Sequence, residues 1–193
     1  MKAAIVAALL SLVTLPAGAA GALHHSLSEE ANFVRGTTAA EIYRDMLRHP
    51  IVDPDSGRSF ANVTHAHELE LATGLSSGQC RVQKLDFTWH FVMTLPSARD
   101  EAALSGETRQ LWRAFVGRLR THELHHRDLF LDCGRAFVPE AAAMTAPQCA
   151  QLDREVRRFI EAEYDACMDR QRAFDRDDTG RILAHPFIAL AKR

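Results

Sequence analysis

The chain is short of the features that mark several large classes of protein. Its 193 residues carry a formal net charge of −2 from 23 basic and 25 acidic side chains. There is thus no basic excess to hold nucleic-acid phosphates and no acidic excess to recruit a basic partner. Lys192-Arg193 and the Arg154, Arg157, Arg158 group read as solvated tail and helix charges. No internal repeat is visible, and no low-complexity segment lies beyond the extreme N-terminus. Outside that N-terminus no run approaches the ~20 apolar residues that cross a bilayer, so stable membrane insertion is not expected. Cysteine is scarce. Cys80, Cys133, Cys149 and Cys167 are the four, and none has the C-x-x-C spacing of a cysteine zinc site.

The N-terminus itself has the composition of an export signal. Lys2 supplies a positive start, Ala3 to Leu15 is almost wholly apolar, Pro16 breaks the run, and Ala17-Gly18-Ala19 or Ala20-Gly21-Ala22 offers small residues for cleavage. Residues 1–22 are therefore read as a signal peptide and 23–193 as one domain in the periplasm or outside the cell. About 170 residues suffice to bury around 70% of the unfolded surface in one core. An even cysteine count in an exported chain reads as two disulfides. Cys133–Cys149 would flank the connection between two antiparallel helices, leaving Cys80–Cys167 to tie the sheet to the second helix.

Asn32 to Gly36 reads as a short strand. Thr38 followed three residues later by Glu41 is a capping box, so a helix is expected from there to about Arg48, ended by His49-Pro50. Residues 60–72 alternate, with Val63, His65, His67, Leu69 and Leu71 on one face. His65 and His67 are expected to be ordinary positions on a half-buried sheet face. The next strand alternates most clearly, with Leu85, Phe87, Trp89, Phe91, Met93 and Leu95 on one side. Asp86, Thr88 and His90 take the other, wet side, and Pro96 is expected to close the strand. A helix from about Glu107 to Ala136, a connection through Pro139, and a second helix from Pro147 to about Phe174 complete the chain.

The first of these long helices carries the one specific motif, Thr121-His122-Glu123-Leu124-His125-His126. Shuffling the composition would give roughly 0.03 copies of His-Glu-x-x-His, so chance is a poor explanation. On a helix, residues i and i+4 share a face one turn apart, so both imidazoles can reach one ion. They also continue an apolar stripe through Leu111, Phe115, Leu119, Leu129 and Phe130, where a histidine needs a partner. Glu123, a fraction of a turn away, is placed to act as general base on a metal-activated water. The donor set favours Zn2+, with cobalt or manganese as possible substitutes in vitro.

The third ligand is less determined. On the second long helix Leu152, Val156, Phe159, Ile160, Cys167 and Phe174 define a stripe, and Glu163 falls in its middle. A carboxylate there is costly unless paired or metal-bound. With Cys133 facing Cys149, the stretch from Val156 to Glu163 would lie beside the stretch from His126 back to Leu119.

The chain resembles a bacterial family of predicted secreted zinc-dependent proteases, catalogued as a domain of unknown function and grouped with the zincin-like metallopeptidases. Phe33-Val34-Arg35-Gly36-Thr37 resembles its opening strand and Gly-Thr turn. Thr64 to Leu71, then Cys80 with Leu85 to Pro96, resembles its central hairpin. Trp112 ahead of His122-Glu123-Leu124-His125-His126 resembles its signature helix. The family pattern ends in an aromatic-Asp pair followed by Thr-x-His-Gly; here stand Phe174-Asp175, Thr179-Gly180 and, further on, His185. The resemblance implies a zincin-like α+β fold, with a small, mostly antiparallel sheet on two long helices and the motif on the first. It also implies hydrolysis of a peptide or protein substrate. If a C-terminal histidine completes the site, His185 is the candidate. Asp175, off the buried stripe, is a weaker one, and Glu163 stays open beside them. A non-catalytic periplasmic module that stores metal or binds peptide is the rival class.

Overall fold

The computed structural model describes residues 21–53 and 57–193. The signal-peptide reading falls almost wholly outside them; only Gly21 and Ala22 of that segment are described, as the first residues of a strand. Among the described residues no helix is long and apolar enough to cross a membrane.

The architecture is α+β. The elements, in order, are β1 (Gly21–Val34), α1 (Ala39–Arg48), β2 (Ile51–Asp53), β3 (Gly57–Ser59), β4 (Asn62–Ser76), β5 (Gln79–Ala98), a 3-10 turn (Glu101–Ala103), α2 (Gly106–Ala143), β6 (Thr145–Ala146), α3 (Cys149–Leu183) and α4 (Pro186–Ala191). The sheet runs β1-β5-β4, with β6 also on β5 and β2–β3 forming a separate hairpin. It is mixed rather than mostly antiparallel, because β1 lies parallel to β5 along its whole length while β4 and β6 are antiparallel to it. β1 is also much longer than the Asn32–Gly36 strand read from the sequence. As an edge strand it exposes most side chains: Leu23 and Leu27 pack on one apolar cluster and Val34, at its end, on the other, and its alternation is weak.

β5 is the spine. Leu85, Phe87, Trp89, Phe91 and Met93 are buried on the face toward α2 and α3. β4 and β5 meet in a two-residue turn, Ser77-Gly78, both with positive φ (51° and 81°). That is the twist-matched hairpin geometry, and glycine takes it at no steric cost. Pro96 does not close β5. The β4 ladder already ends at Thr94, so the missing amide costs nothing on that side, and pairing with β1 carries β5 to Ala98.

α1 starts at the expected capping box, with Glu41 N donating to Thr38 Oγ1 (3.3 Å) and Thr38 N to Glu41 Oε2 (3.2 Å). α2 continues through Pro139 to Ala143 instead of ending near Ala136. Pro139 sits on the exposed face, while Phe137, Val138, Ala141 and Ala142 are buried on the other. Their burial outweighs the ~3 kcal/mol a mid-helix proline costs. α3 likewise runs past Phe174 to Leu183.

The disulfides differ from those expected: Cys80 pairs with Cys149, and Cys133 with Cys167. Cys149 opens α3 just after β6, which pairs with β5 at Cys80, so the sheet captures it. Cys133 therefore faces Cys167, and α3 is displaced along α2 by about five helical turns from the register that Cys133–Cys149 would impose.

Two apolar clusters result. One joins the sheet to the C-terminal half of α2 and the N-terminal half of α3 around Trp89, Phe130 and Phe137. The other gathers Ile42, Trp112, Phe115, Leu119 and Phe187 from α1, α2 and α4. The motif on α2 lies at their junction, between Leu119 of one and Phe130 of the other.

Candidate metal centre

His122, Glu123 and His126 are all buried on α2. Opposite them α3 presents Gln171, Asp175 and Asp178, each one helical step of three or four from the next. His122 Nε2, His126 Nε2 and Asp175 Oδ1 converge. The nitrogens are 3.1 Å apart, and Asp175 Oδ1 lies 3.2 Å from His122 and 2.9 Å from His126. A tetrahedral ion with bonds of about 2.0–2.1 Å separates its ligand atoms by roughly 3.3 Å, so the triangle has nearly the right edges. Among the described residues this trio is the one group of three or more such side chains gathered closely enough to hold a metal.

The far side of each imidazole fixes which nitrogen carries hydrogen. His122 Nδ1 donates to Asp178 Oδ2 (2.8 Å). His126 Nδ1 donates to Gln171 Oε1 (2.6 Å), and Gln171 is itself oriented by giving its Nε2 hydrogen to the His126 carbonyl (3.1 Å). In the neutral rings both Nε2 lone pairs then point at the Asp175 carboxylate. Three acceptors facing one another at hydrogen-bond distance repel unless something positive lies between them. A proton is one remedy. Burial pulls His126 down, but hydrogen bonds to Asp175 and Gln171 outweigh it and raise its pKa. Burial likewise pushes Asp175 up, and the two imidazoles overcome it and hold the carboxyl well below its usual range. A cation is the other remedy, since metals and protons compete for the same lone pairs.

Asp178 is 2% exposed, a costly place for a carboxylate without partners. It has three: His122, Arg118 in a close ion pair, and Arg181 at 3.5 Å. Phe174 covers the rings, stacked on His122 (4.7 Å between centroids) and edge-on to His126 (5.0 Å). It also touches the exposed His125 at 4.1 Å.

Glu123 is 5% exposed and lines the same cavity, of about 690 Å³, as the three converging side chains. Burial pushes its pKa up to about 7, with Asp175 and Asp53 adding to the rise and the two histidines opposing it.

The other candidates lie elsewhere. Glu163 is on α3, about 18 Å before Asp175 along the helix, and the observed register, with Cys167 rather than Cys149 against Cys133, brings Asp175 and not Glu163 to the histidines. His185 caps α4, accepting from Phe187 N (3.2 Å), and packs on Phe115. His90 is on the sheet face away from α2 and α3, with Ser26 Oγ at 3.0 Å. His65 packs on Phe130 and meets the Tyr164 hydroxyl at 2.9 Å. Asp175 joins the paired histidines, although the sequence reading set it off the stripe. Taking Phe174 as a core position hid the true sequence of steps, 167, 171, 175, 178 and 182, in which polar residues replace apolar ones. Gln171 and Asp178 were missed for the same reason.

The chain belongs to the family described as bacterial protein of unknown function (DUF922), which it matches over residues 31–181. That description names no activity. The span covers α1, the sheet from Ala31 onward, the motif on α2, and Gln171, Asp175 and Asp178 on α3. No curated protein and no solved structure matches the chain.

Proposed function

We propose that this protein is a zincin-like, zinc-dependent peptidase working in the periplasm or outside the cell. One observation carries the reading: two imidazole nitrogens and a carboxylate oxygen converge within 3.2 Å of one another, each histidine having its other nitrogen already committed. His122, His126 and Asp175 would hold the ion, a donor set of two nitrogens and one oxygen that leaves zinc an open position. When bound, zinc supplies Lewis acidity that polarises a carbonyl and acidifies water.

The chain's own residues supply the rest. Asp178 and Gln171 hold the rings in the tautomer that presents Nε2. Phe174 keeps solvent from one side of the rings. Glu123 shares the cavity without joining the converging trio, so its carboxylate is free to take a proton from the attacking water and pass it to the leaving amine. A metal store has no need of that group. The same two-histidine, one-carboxylate set also suits iron(II); the buried Glu123 beside it is what favours hydrolysis. The two disulfides fit an oxidising compartment.

The test is Glu123→Gln. Zinc content should stay at that of the wild type, while hydrolysis of denatured casein falls by about 10²–10⁴-fold, the usual worth of a general base. A wild-type protein that holds zinc stoichiometrically and cleaves nothing would instead be the binding module.

A further inference from the structure

The cavity beside the converging ligands is far larger than an ion and its water need, and most of its wall is apolar. Leu119 and Phe130 come from α2, Met168 and Ile182 from α3, and Met46 and Phe60 from the opposite side. At about 690 Å³ it falls in the range that accepts a drug-sized group. Its mouth is apolar as well. Leu47, at the end of α1, is 48% exposed and Leu183, at the end of α3, is 47% exposed, and both line the cavity. Val52, 75% exposed, belongs to the hairpin that contributes Asp53 and Arg58 to the wall. Leu47 and Leu183, which line the cavity, are two of the five large hydrophobic side chains left exposed among the described residues. Apolar surface left in water around one opening marks a place where something apolar docks.

We infer that this cavity is the subsite for a bulky apolar side chain of an extended peptide, next to the bond to be cut. The inference rests on the peptidase reading and gives it a substrate class. A peptide fits better than a free acyl chain because β4 ends the sheet beside the opening. Asn62, Val63 and His65 of that strand line the cavity, and among the described residues no further strand pairs along β4. A strand edge offers main-chain donors and acceptors that suit a peptide and that an acyl chain cannot use.

Hydroxamates test this without turnover. Acetohydroxamate, 4-methylpentanohydroxamate and 3-phenylpropanohydroxamate are titrated calorimetrically into the zinc-loaded full chain, with zinc content measured in parallel. Burying a leucine- or phenylalanine-sized group should tighten binding roughly 10–100-fold over acetohydroxamate. The Leu47→Ser/Leu183→Ser double variant changes only partly exposed positions, so it should fold. It should lose several-fold of that gain while keeping its zinc and its affinity for acetohydroxamate. Equal affinity for all three compounds overturns the subsite and leaves the metal reading standing. Dodecanohydroxamate is titrated beside them, and a large further gain for it, undiminished in the double variant, overturns the subsite in favour of an acyl-chain pocket. Failure of the folded protein to hold zinc overturns the metal reading and this inference with it.

Discussion

α2 and α3 pack against each other along most of their length, yet the two halves of that pairing are built differently. Around Cys133–Cys167 and beyond, the surroundings are apolar: Phe130, Phe137, Val138 and Ala141 of α2 share one core cluster with Leu152, Val156 and Ile160 of α3 and with the sheet. One helical step further the same stripe turns polar, and His122 and His126 face Gln171, Asp175 and Asp178. Sidedness and register are common to both halves; only the chemistry at the interface changes. Apolar contacts are nondirectional and gain free energy simply by leaving water. The polar contacts gain little net, because each group gives up water to make them. The first half holds the helices together, and the second spends the resulting rigidity on geometry.

Phe137→Ala should break the apolar half most. Its ring is buried and edge-on to Phe87 (5.0 Å), so truncation should cost about 3–5 kcal/mol, read by denaturant unfolding. Zinc binding by the molecules that remain folded should be unchanged. A large loss of zinc affinity without loss of stability would reverse the assignment of the two halves.

Replacing Cys133 and Cys167 together by serine should cost about 3–4 kcal/mol through release of the closed loop. It should also weaken zinc binding, because this bridge sets the register that brings Asp175 to the histidines. Removing Cys80–Cys149, which ties α3 to the sheet further from the site, should lower stability with a smaller effect on zinc. Equal effects on zinc from both bridges would argue against a register role.

Asp178→Asn is a subtler change. It retains an acceptor for His122 Nδ1 but removes the charge shared with Arg118 and Arg181. Zinc affinity should fall about 10-fold, at the low end of what outer partners of metal-bound histidines contribute, as measured by competition with a chromophoric chelator. The smallest effect is expected from Glu163→Ala, which should leave zinc content and affinity where they are. A zinc-free Glu163→Ala protein that is otherwise folded would restore Glu163 as the ligand.

Much of this arrangement is legible in the sequence alone. The capping box at Thr38 and Glu41, the alternation of β5 and the pairing of His122 with His126 all depend on residues a few positions apart. β1 escaped because an edge strand needs little hydrophobic patterning, and its partner lies some sixty residues away. The length of α2 escaped because a local rule about proline was overruled by the burial of Phe137, Val138, Ala141 and Ala142.

Asp175 is the instructive case. Its neighbours in the chain say only that it lies on a helix near a buried face. Whether it meets His126 depends on how far α3 slides along α2, and a sliding helix pair has many registers of similar apolar contact. The register found is the one in which Cys167 lies against Cys133, with β6 setting Cys149 beside Cys80. Local spacing, then, determined which two histidines and which glutamate belong together. Only the tertiary structure decided which carboxylate completes them, because that contact is set by long-range pairing.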